Sequence, residues 1–227
     1  TNFDTSLAQK LESFFEGCLV LTSIDVSHFN TKSCTTMNSM FYGCESLTSL
    51  DVKSFNTSIV KDMTLMFSNC TTLTTLDLSH FNTSSVQKMK KMFEFSNKLI
   101  KLDLSNFRTE KLDDMNSIFH NCSSLTSLDI SNFDTKSVTT MELAFCNCTS
   151  LTSLDISHFD TSSVVNMNNM FCFCALESLD LTNFNTISVI DMSSMFISCT
   201  NLESIDLSSF NTNNVKTMES MFEDCSS

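Results

Sequence analysis

The sequence predicts an α/β solenoid in which one strand–turn–helix unit is repeated and stacked along a single axis. Three observations predict it: a skewed composition, a pattern that recurs every 26 residues, and two different hydrophobic periods within each unit. The 227 residues include 21 Phe, 14 Met and 11 Cys but two Gly, no Pro and no Trp. Such a bias arises when one short pattern is copied many times. An apolar fraction of 41% is sufficient for a large core.

The repeat is visible when two stretches of the chain are aligned. Residues 125–148 read LTSLDISNFDTKSVTTMELAFCNC, and residues 151–174 read LTSLDISHFDTSSVVNMNNMFCFC. The shared pattern is L-x-x-L-D-[LIV]-x-x-F-[ND]-T-x-x-V-x-x-M-x-x-M-F-x-x-C. Successive units are 26 residues apart, except where one residue is missing around Ala175. The sequence therefore predicts one leucine-rich-repeat array over residues 1–227, with about eight to nine repeats and both ends cut in mid-repeat.

Each unit has two halves with different periods. In the first half, Leu50, Asp51 and Val52 alternate between apolar and polar, which is typical of a short strand. In the second half, Val60, Met63 and the pair Met66–Phe67 recur at the spacing of one helix face. A threonine precedes this half, and threonine is a good helix N-cap.

Stacking is required because a single unit cannot bury its own apolar face. The strands are expected to form a parallel sheet on a concave side, with short helices on the convex side. Helices are wider than strands, so we expect a curved array, and the crossover rule makes it right-handed.

The stretch LTSLDISHFDTSSVVNMNNMF at residues 151–171 closely resembles the repeat of the BspA-like leucine-rich-repeat surface proteins. The resemblance runs through every unit. It departs from the family pattern at Ser96, where Cys is expected, at Ile118 and Ala144, where Met is expected, and at Ala175. The resemblance implies a secreted or cell-surface location and adhesion to other proteins or cells. It implies no catalytic site.

The first candidate site is a column of exposed carboxylates, one from each strand segment. We interpret them either as hydrogen-bonded to neighbouring hydroxyls such as Ser49 and Ser127 or to turn amides, or as an acidic strip that binds a basic partner or Ca²⁺. Calcium needs six to eight oxygen ligands, and the glycine-rich calcium-binding repeat is absent, so no metal site is assigned. The members of this Asp column are Asp25, Asp51, Asp77, Asp103, Asp129, Asp155, Asp180 and Asp206.

Threonine and cysteine form two further columns. The Thr column is interpreted as helix caps rather than as a flat hydroxyl surface of the kind that binds ice. The Cys column is interpreted as buried free thiols, because equal spacing specifies no pairing; its members are Cys18, Cys44, Cys70, Cys122, Cys148, Cys174, Cys199 and Cys225. Cys146 and Cys172 lie outside that column on adjacent units, and they are the best candidates for a disulfide. The Met and Phe columns are predicted to be core.

Seven of the 13 basic residues fall within one stretch of the chain. They form either a solvated face or a contact patch, for example for the acidic strip of another copy. They are Lys88, Lys90, Lys91, Lys98, Lys101, Arg108 and Lys111. His120 stands apart from the other three histidines, which share one position, and we find no nucleophile paired with a histidine at a diagnostic spacing.

The net charge of −13 argues against nucleic acid and anionic lipid as partners. No apolar stretch is long enough to span a bilayer. Without a glycine-rich phosphate loop or a paired nucleophile, the chain is not expected to be an enzyme or to carry a cofactor. We therefore expect an extracellular or cell-surface adhesion scaffold that binds a protein or glycoprotein on its concave face. Two alternatives remain open: a structural subunit that self-associates through repeat ends, and a calcium-dependent binding module.

Overall fold

The computed structural model describes residues 3–226, and it shows that the repeats stack as coils in register. Strand β1 is Thr75–Asp77 and strand β2 is Lys101–Asp103. The two strands pair in parallel, with Leu76 opposite Leu102 and Asp77 opposite Asp103. Like residues of successive units are thus neighbours, as the repeat predicts. The described residues contain only these two strands, so the continuous parallel sheet expected from every unit is not observed.

The alternation predicted for the strand segments is present even where no strand is assigned. Leu50 and Val52 are buried, whereas Asp51 between them is exposed. The same pattern places Leu76 of β1 in the core and Asp77 in solvent. The side of the coil that carries these exposed residues is called the strand face below.

The prediction of a helix in the second half of each unit is wrong, because the described residues contain no helix. Two residues in this half adopt the left-handed region, such as Ser39 with φ of 54° and Gly43 with φ of 71°. The same two positions recur in each following unit, for example as Leu65 and Asn69. Two left-handed residues four positions apart interrupt an α-helix, so the chain forms a series of tight turns. This side of the coil is called the turn side.

The backbone groups that a helix would pair internally are paired with the next coil instead. The N–H of Met37 donates to the carbonyl of Asp62 at 2.9 Å, and that of Phe41 donates to Met66 at 3.0 Å. Between them, the N–H of Met40 closes a turn onto Met37 at 3.2 Å. Backbone polar groups must find partners when they are buried, and here stacking supplies half of them. We expected curvature because helices are wider than strands. Without helices in the described residues, that reason for curvature does not apply.

The Met and Phe columns form the core, as predicted, except in the last unit, where Met218 and Phe222 are exposed. Met63, Met66 and Phe67 are at most 1% exposed. The rings of one Phe column stack face to face along the axis, with centroids 5.8 Å apart for Phe41–Phe67 and 6.0 Å apart for Phe67–Phe93. The core is continuous from Leu11 to Met221, so every coil contributes to one hydrophobic column.

The Thr column links coils rather than capping helices. The Oγ1 of Thr83 donates to the carbonyl of Arg108 at 2.8 Å and accepts the N–H of the same residue at 2.7 Å. Thr31 bridges to Asn56 in the same way, at 2.9 and 2.7 Å. Thr83 is fully buried, which excludes it from a hydroxyl surface. The hydroxyls of Thr31 and Thr83 therefore each satisfy one backbone donor and one acceptor of the following coil.

Six of the eight members of the Cys column are buried free thiols, as predicted, whereas Cys18 and Cys225 in the terminal units are partly exposed. The Sγ of Cys122 lies 3.2 Å from the carbonyl oxygen of Phe93, and that of Cys148 lies 3.3 Å from the carbonyl of Phe119. Where serine replaces cysteine, the Oγ of Ser96 donates to the carbonyl of Phe67 at 2.8 Å. The column therefore needs a small donor more than it needs sulfur.

Candidate functional site on the strand face

The carboxylates of the Asp column are exposed along the strand face in all eight units. Each side chain is held by its own turn, because Oδ1 accepts the backbone N–H of the residue two positions later, at 2.8–3.1 Å. In four units the hydroxyl at that position donates as well, at 2.6–2.7 Å; these are Ser79, Ser131, Ser157 and Thr182. The turn amides therefore bind the Asp carboxylates, as one of our interpretations predicted. The hydroxyls that bind them belong to these four residues and not to Ser49 and Ser127.

These hydrogen bonds favour the charged form of six of the eight carboxylates in the column, whose pKa values are lowered. The hydroxyl and the backbone N–H of Ser79 lower the pKa of Asp77. Ser131 lowers the pKa of Asp129 and Ser157 that of Asp155 in the same way. A carboxylate that accepts two donors is favoured in its ionised form. Donation from the turns thereby offsets the repulsion between like charges on neighbouring coils.

A shallow groove of about 570 Å³ crosses the strand face around β1 and β2. Its charged lining residues are Asp77, Lys101, Asp103 and Asp129. A second groove of about 270 Å³ continues toward Asp51 and Lys53. Lys53 lies 3.9 Å from Asp77, as a long ion pair between exposed side chains. The strand face therefore offers a continuous shallow surface with carboxylates at regular intervals.

The structure does not gather the seven basic residues onto one surface. They span residues 88–111, which is almost one full coil, so their side chains lie around its circumference. Lys101 lies on the strand face, whereas Lys90 pairs with Asp114 at 4.0 Å and Lys91 with Glu94 at 3.0 Å on the turn side. The seven residues therefore form separate groups rather than one contact patch. They are Lys88, Lys90, Lys91, Lys98, Lys101, Arg108 and Lys111.

On the turn side, residues that are far apart in the sequence lie close together. Cys146 and Cys172 form a disulfide, with their Cα atoms 4.6 Å apart. Glu94 and His120 occupy the equivalent position in the two preceding coils, and the His120 Nδ1 lies 3.3 Å from the Glu94 Oε1. In the sequence these four residues lie 26 positions apart, which is the length of one repeat. A search for short motifs does not detect residues at that spacing.

Two further observations concern metals and membranes. Among residues 3–226, no three His, Cys, Asp or Glu side chains gather in a geometry suited to a metal ion. In that same part of the chain, no helix is long and apolar enough to cross a membrane.

Comparison with known proteins identifies the repeat. The model of the family described as "Mycoplasma protein of unknown function, DUF285" matches residues 1–101, 95–176 and 144–227. A search of curated proteins found no match. A leucine-rich repeat protein from Bacteroides ovatus is similar in structure, with a TM-score of 0.62 and 18% sequence identity. The similarity covers 97% of this chain and 51% of that protein.

A leucine-rich cell surface protein from Faecalibacterium prausnitzii gives a TM-score of 0.41 with 20% identity, over 76% of this chain and 36% of that one. The Bacteroides similarity confirms the leucine-rich-repeat solenoid that the sequence predicts, and this chain spans about half the length of that solved protein.

Proposed function

The chain belongs to the family described as Mycoplasma protein of unknown function, DUF285, and from that premise we propose that it is a non-enzymatic ligand-binding scaffold of the cell surface or extracellular space. The ligand is a protein or glycoprotein that presents basic groups to the strand face. The repeat fold supports this role, because repeat proteins use their extended faces for binding.

The observation that carries the proposal is the preorganised Asp column. Each carboxylate is fixed by a turn N–H, and donation from the turns favours the charged form of Asp129 and Asp155. A ligand does not need to order these side chains, so less conformational entropy is lost on binding. Regularly spaced negative charge also steers a basic partner to this face.

The location is supported by the disulfide between Cys146 and Cys172. Structural disulfides persist in oxidising compartments and are rare in the cytosol. The net charge of −13 also favours a basic ligand over an acidic one.

Charge-removing variants on the two sides of the coil test the proposal. The triple variant Asp129→Asn, Asp155→Asn and Asp180→Asn removes three carboxylates from the strand face, and asparagine retains an Oδ1 that can accept the turn N–H. Each exposed charge pair contributes about 0.5 kcal/mol. The loss of three pairs should therefore raise the Kd for a basic protein, chosen from a panel of extracellular-matrix and mucin ligands, about tenfold.

The matched control removes three carboxylates from the turn side, at Asp62, Asp114 and Asp191. Their Oδ1 atoms accept turn N–H groups in the same way, at 2.7–2.9 Å. Both triple variants carry the same net charge, so a general electrostatic effect would weaken binding equally. Equal affinities for the two variants would therefore refute the assignment of the strand face.

A further inference from the structure

Two connected grooves follow the corner of the coil, between the strand face and the turn side. The larger is about 480 Å³ and the smaller about 280 Å³, and both are lined by His80 and Asn82. They extend from the coil of Asp25 to the coil of Asp103, which is about 14 Å at a spacing of about 4.8 Å between coils. We call the two together the corner groove. Its cationic and amide side chains are Lys32, Lys53, Asn56, Asn82, Asn106 and Arg108.

The corner groove is positively charged in an acidic chain. Lys32, Lys53 and Arg108 contribute to its lining, and none of the described residues that line it is Asp or Glu. The sequence as a whole contains 26 acidic and 13 basic residues. By contrast, the larger groove on the strand face is lined by three carboxylates of the Asp column. The two surfaces therefore favour ligands of opposite charge.

Two of these cations depart from the repeat. Lys53 occupies a position at which the other seven units have Ser or Thr, and Arg108 occupies one at which the other seven have Asn or Asp. The other coils stack without these cations, so the fold does not require them. Two departures that add charge to the same groove are better explained by a ligand than by packing.

The cations of the corner groove are available to a ligand. Among residues 3–226, Lys32 and Arg108 form no ion pair, and Arg108 donates from its Nη1 to the carbonyl of Phe107 at 3.1 Å. Lys53 lies 3.9 Å from Asp77, but both side chains are exposed, and such pairs contribute little. A ligand anion can therefore replace Asp77 at Lys53.

Two amides between the cations are fixed as hydrogen-bond donors. The Oδ1 of Asn82 accepts the N–H and the hydroxyl of Ser84, at 3.1 and 2.7 Å, and Asn56 accepts from Ser58 at the same two distances. The Nδ2 group of each amide has no hydrogen-bond partner in the part of the chain that the structure describes. The corner groove thus offers cations and amide N–H groups without a carboxylate, which suits a ligand that presents oxygen acceptors.

We propose that the corner groove binds an acidic saccharide. Its carboxylate or sulfate groups pair with Lys32, Lys53 and Arg108, and its ring and hydroxyl oxygens accept from the Nδ2 groups of Asn56 and Asn82. The open, elongated shape admits a short sugar chain laid across the coils. The corner groove and the Asp column use different side chains, so this site binds its ligand whether or not the strand face binds a basic protein.

An acidic peptide fits the corner groove less well. Protein interfaces depend on large side chains that fill well-packed pockets, and the aromatic lining residues Phe55 and Phe81 are buried, at 4% and 0% exposed. A sugar chain needs no such pocket, because it carries polar groups along its length. The net charge of −13 repels an anion at long range. Salt at about 0.1 M screens charges that are more than about 10 Å apart, so the local cations decide binding.

The test is calorimetric titration of the whole chain with a heparin-derived tetrasaccharide at about 0.1 M salt. The double variant Lys53→Ser and Arg108→Asn restores residues that other coils have at these positions, so it should fold normally. Its Kd should be about tenfold higher than that of the wild type.

The matched control is the double variant Lys98→Ser and Lys136→Ser. It removes two exposed cations that lie outside the corner groove, and it loses the same charge. Because salt screens distant charges, its Kd should stay within about twofold of the wild-type value. Equal weakening in the two double variants, or no binding by the wild type, would overturn the proposal.

A substitution that changes one side-chain group tests the amide donors. Asn82→Asp keeps the Oδ1 that accepts from Ser84 but replaces the Nδ2 donor by a charged oxygen. The fold tolerates this change, because Asp160 makes the same turn with Ser162 at 3.0 and 2.6 Å. Binding of the tetrasaccharide should weaken about tenfold or more. Asn185→Asp, at the same position in a coil outside the corner groove, should bind as the wild type does, and equal affinities of the two variants would refute the role of Asn82.

Two further probes identify the class of ligand. Neutral maltotetraose should give no measurable binding, because it has no anionic group to pair with the cations. A glutamate oligopeptide of similar charge should bind more weakly than the tetrasaccharide. Tighter binding of the peptide, or equal binding of maltotetraose, would show that the corner groove does not recognise an acidic saccharide.

Discussion

Replacing Thr83 by valine tests whether hydroxyl groups link successive coils. Valine has nearly the same shape as threonine, so the substitution retains the packing of this fully buried residue. It removes the two hydrogen bonds at 2.8 and 2.7 Å that join Oγ1 to the carbonyl and the N–H of Arg108. One backbone donor and one acceptor are then left without their partner in the next coil.

The expected loss follows from the number of groups left unpaired. Leaving a buried donor or acceptor unsatisfied costs about 1–3 kcal/mol. The Arg108 side chain is exposed, so water can reach part of this site, and the low end of the range applies to each group. We therefore expect a loss of about 2–3 kcal/mol in the free energy of unfolding. For a chain of this length, the Tm should fall by roughly 4–12 °C.

The measurement is urea unfolding followed by circular dichroism, with thermal unfolding as a second readout. Thr126→Val is the matched control, because Thr126 is exposed on the strand face. The control should change stability by less than about 0.5 kcal/mol. If Thr83→Val is as stable as the control, packing alone holds the coils together and the bridging role of the threonines is wrong.

Three further predictions follow from the columns. Cys122→Ser should retain stability to within about 0.5 kcal/mol, since Ser96 makes the equivalent bond at 2.8 Å. Cys122→Ala should lose about 1 kcal/mol, the net contribution of one hydrogen bond, because the carbonyl of Phe93 keeps the N–H of Ser96 as its other donor. Similar urea midpoints for the two variants would contradict the donor role. Phe95→Asn should raise stability by about 1 kcal/mol because asparagine tolerates the left-handed φ of 59° better, and an unchanged or lower Tm would show that the position is not strained. Hydrogen bonds from Ser79 lower the pKa of Asp77 from its ordinary 3.8. The stability that the charged form contributes is therefore complete above pH 3.8 and is lost as the pH falls through the folded-state pKa. The Tm of the wild type should fall between about pH 5 and pH 2, and that of Asp77→Asn should fall less; parallel pH profiles of Tm for the two proteins would contradict this.

Much of the fold can be predicted from the sequence because identical residues recur at one spacing. The alternation of Leu50, Asp51 and Val52 predicts which side chains are buried, and the structure agrees. The core role of Met63 and Phe67 follows in the same way. These features depend only on which residues are apolar and on how far apart they lie.

The helix prediction failed because hydrophobic spacing does not specify backbone hydrogen bonding. Apolar residues three or four apart lie on one face of a helix, but they also lie on one face of a series of tight turns. The turns are favoured because the N–H groups of residues such as Met37 and Phe41 pair with the next coil. A signal was present at the second left-handed position, where Gly43, Asn69 and Asn121 tolerate a positive φ.

The candidate sites divide in a similar way. The sequence located the Asp column, but it assigned some of the hydroxyl partners to Ser49 and Ser127 rather than to residues such as Ser79. Cys146 and Cys172 could be paired from the sequence because both depart from the repeat at adjacent units. The grouping on the turn side that adds Glu94 and His120 requires coordinates, since each member comes from a different coil.

The sequence by itself determined the repeat, the order of the columns and the inward or outward direction of each side chain, because period and polarity are properties of single units. Only the tertiary structure decided the backbone conformation of the second half and the partners of the Thr, Cys and Glu94 side chains. Those choices depend on hydrogen bonds between coils, and such bonds exist only after stacking.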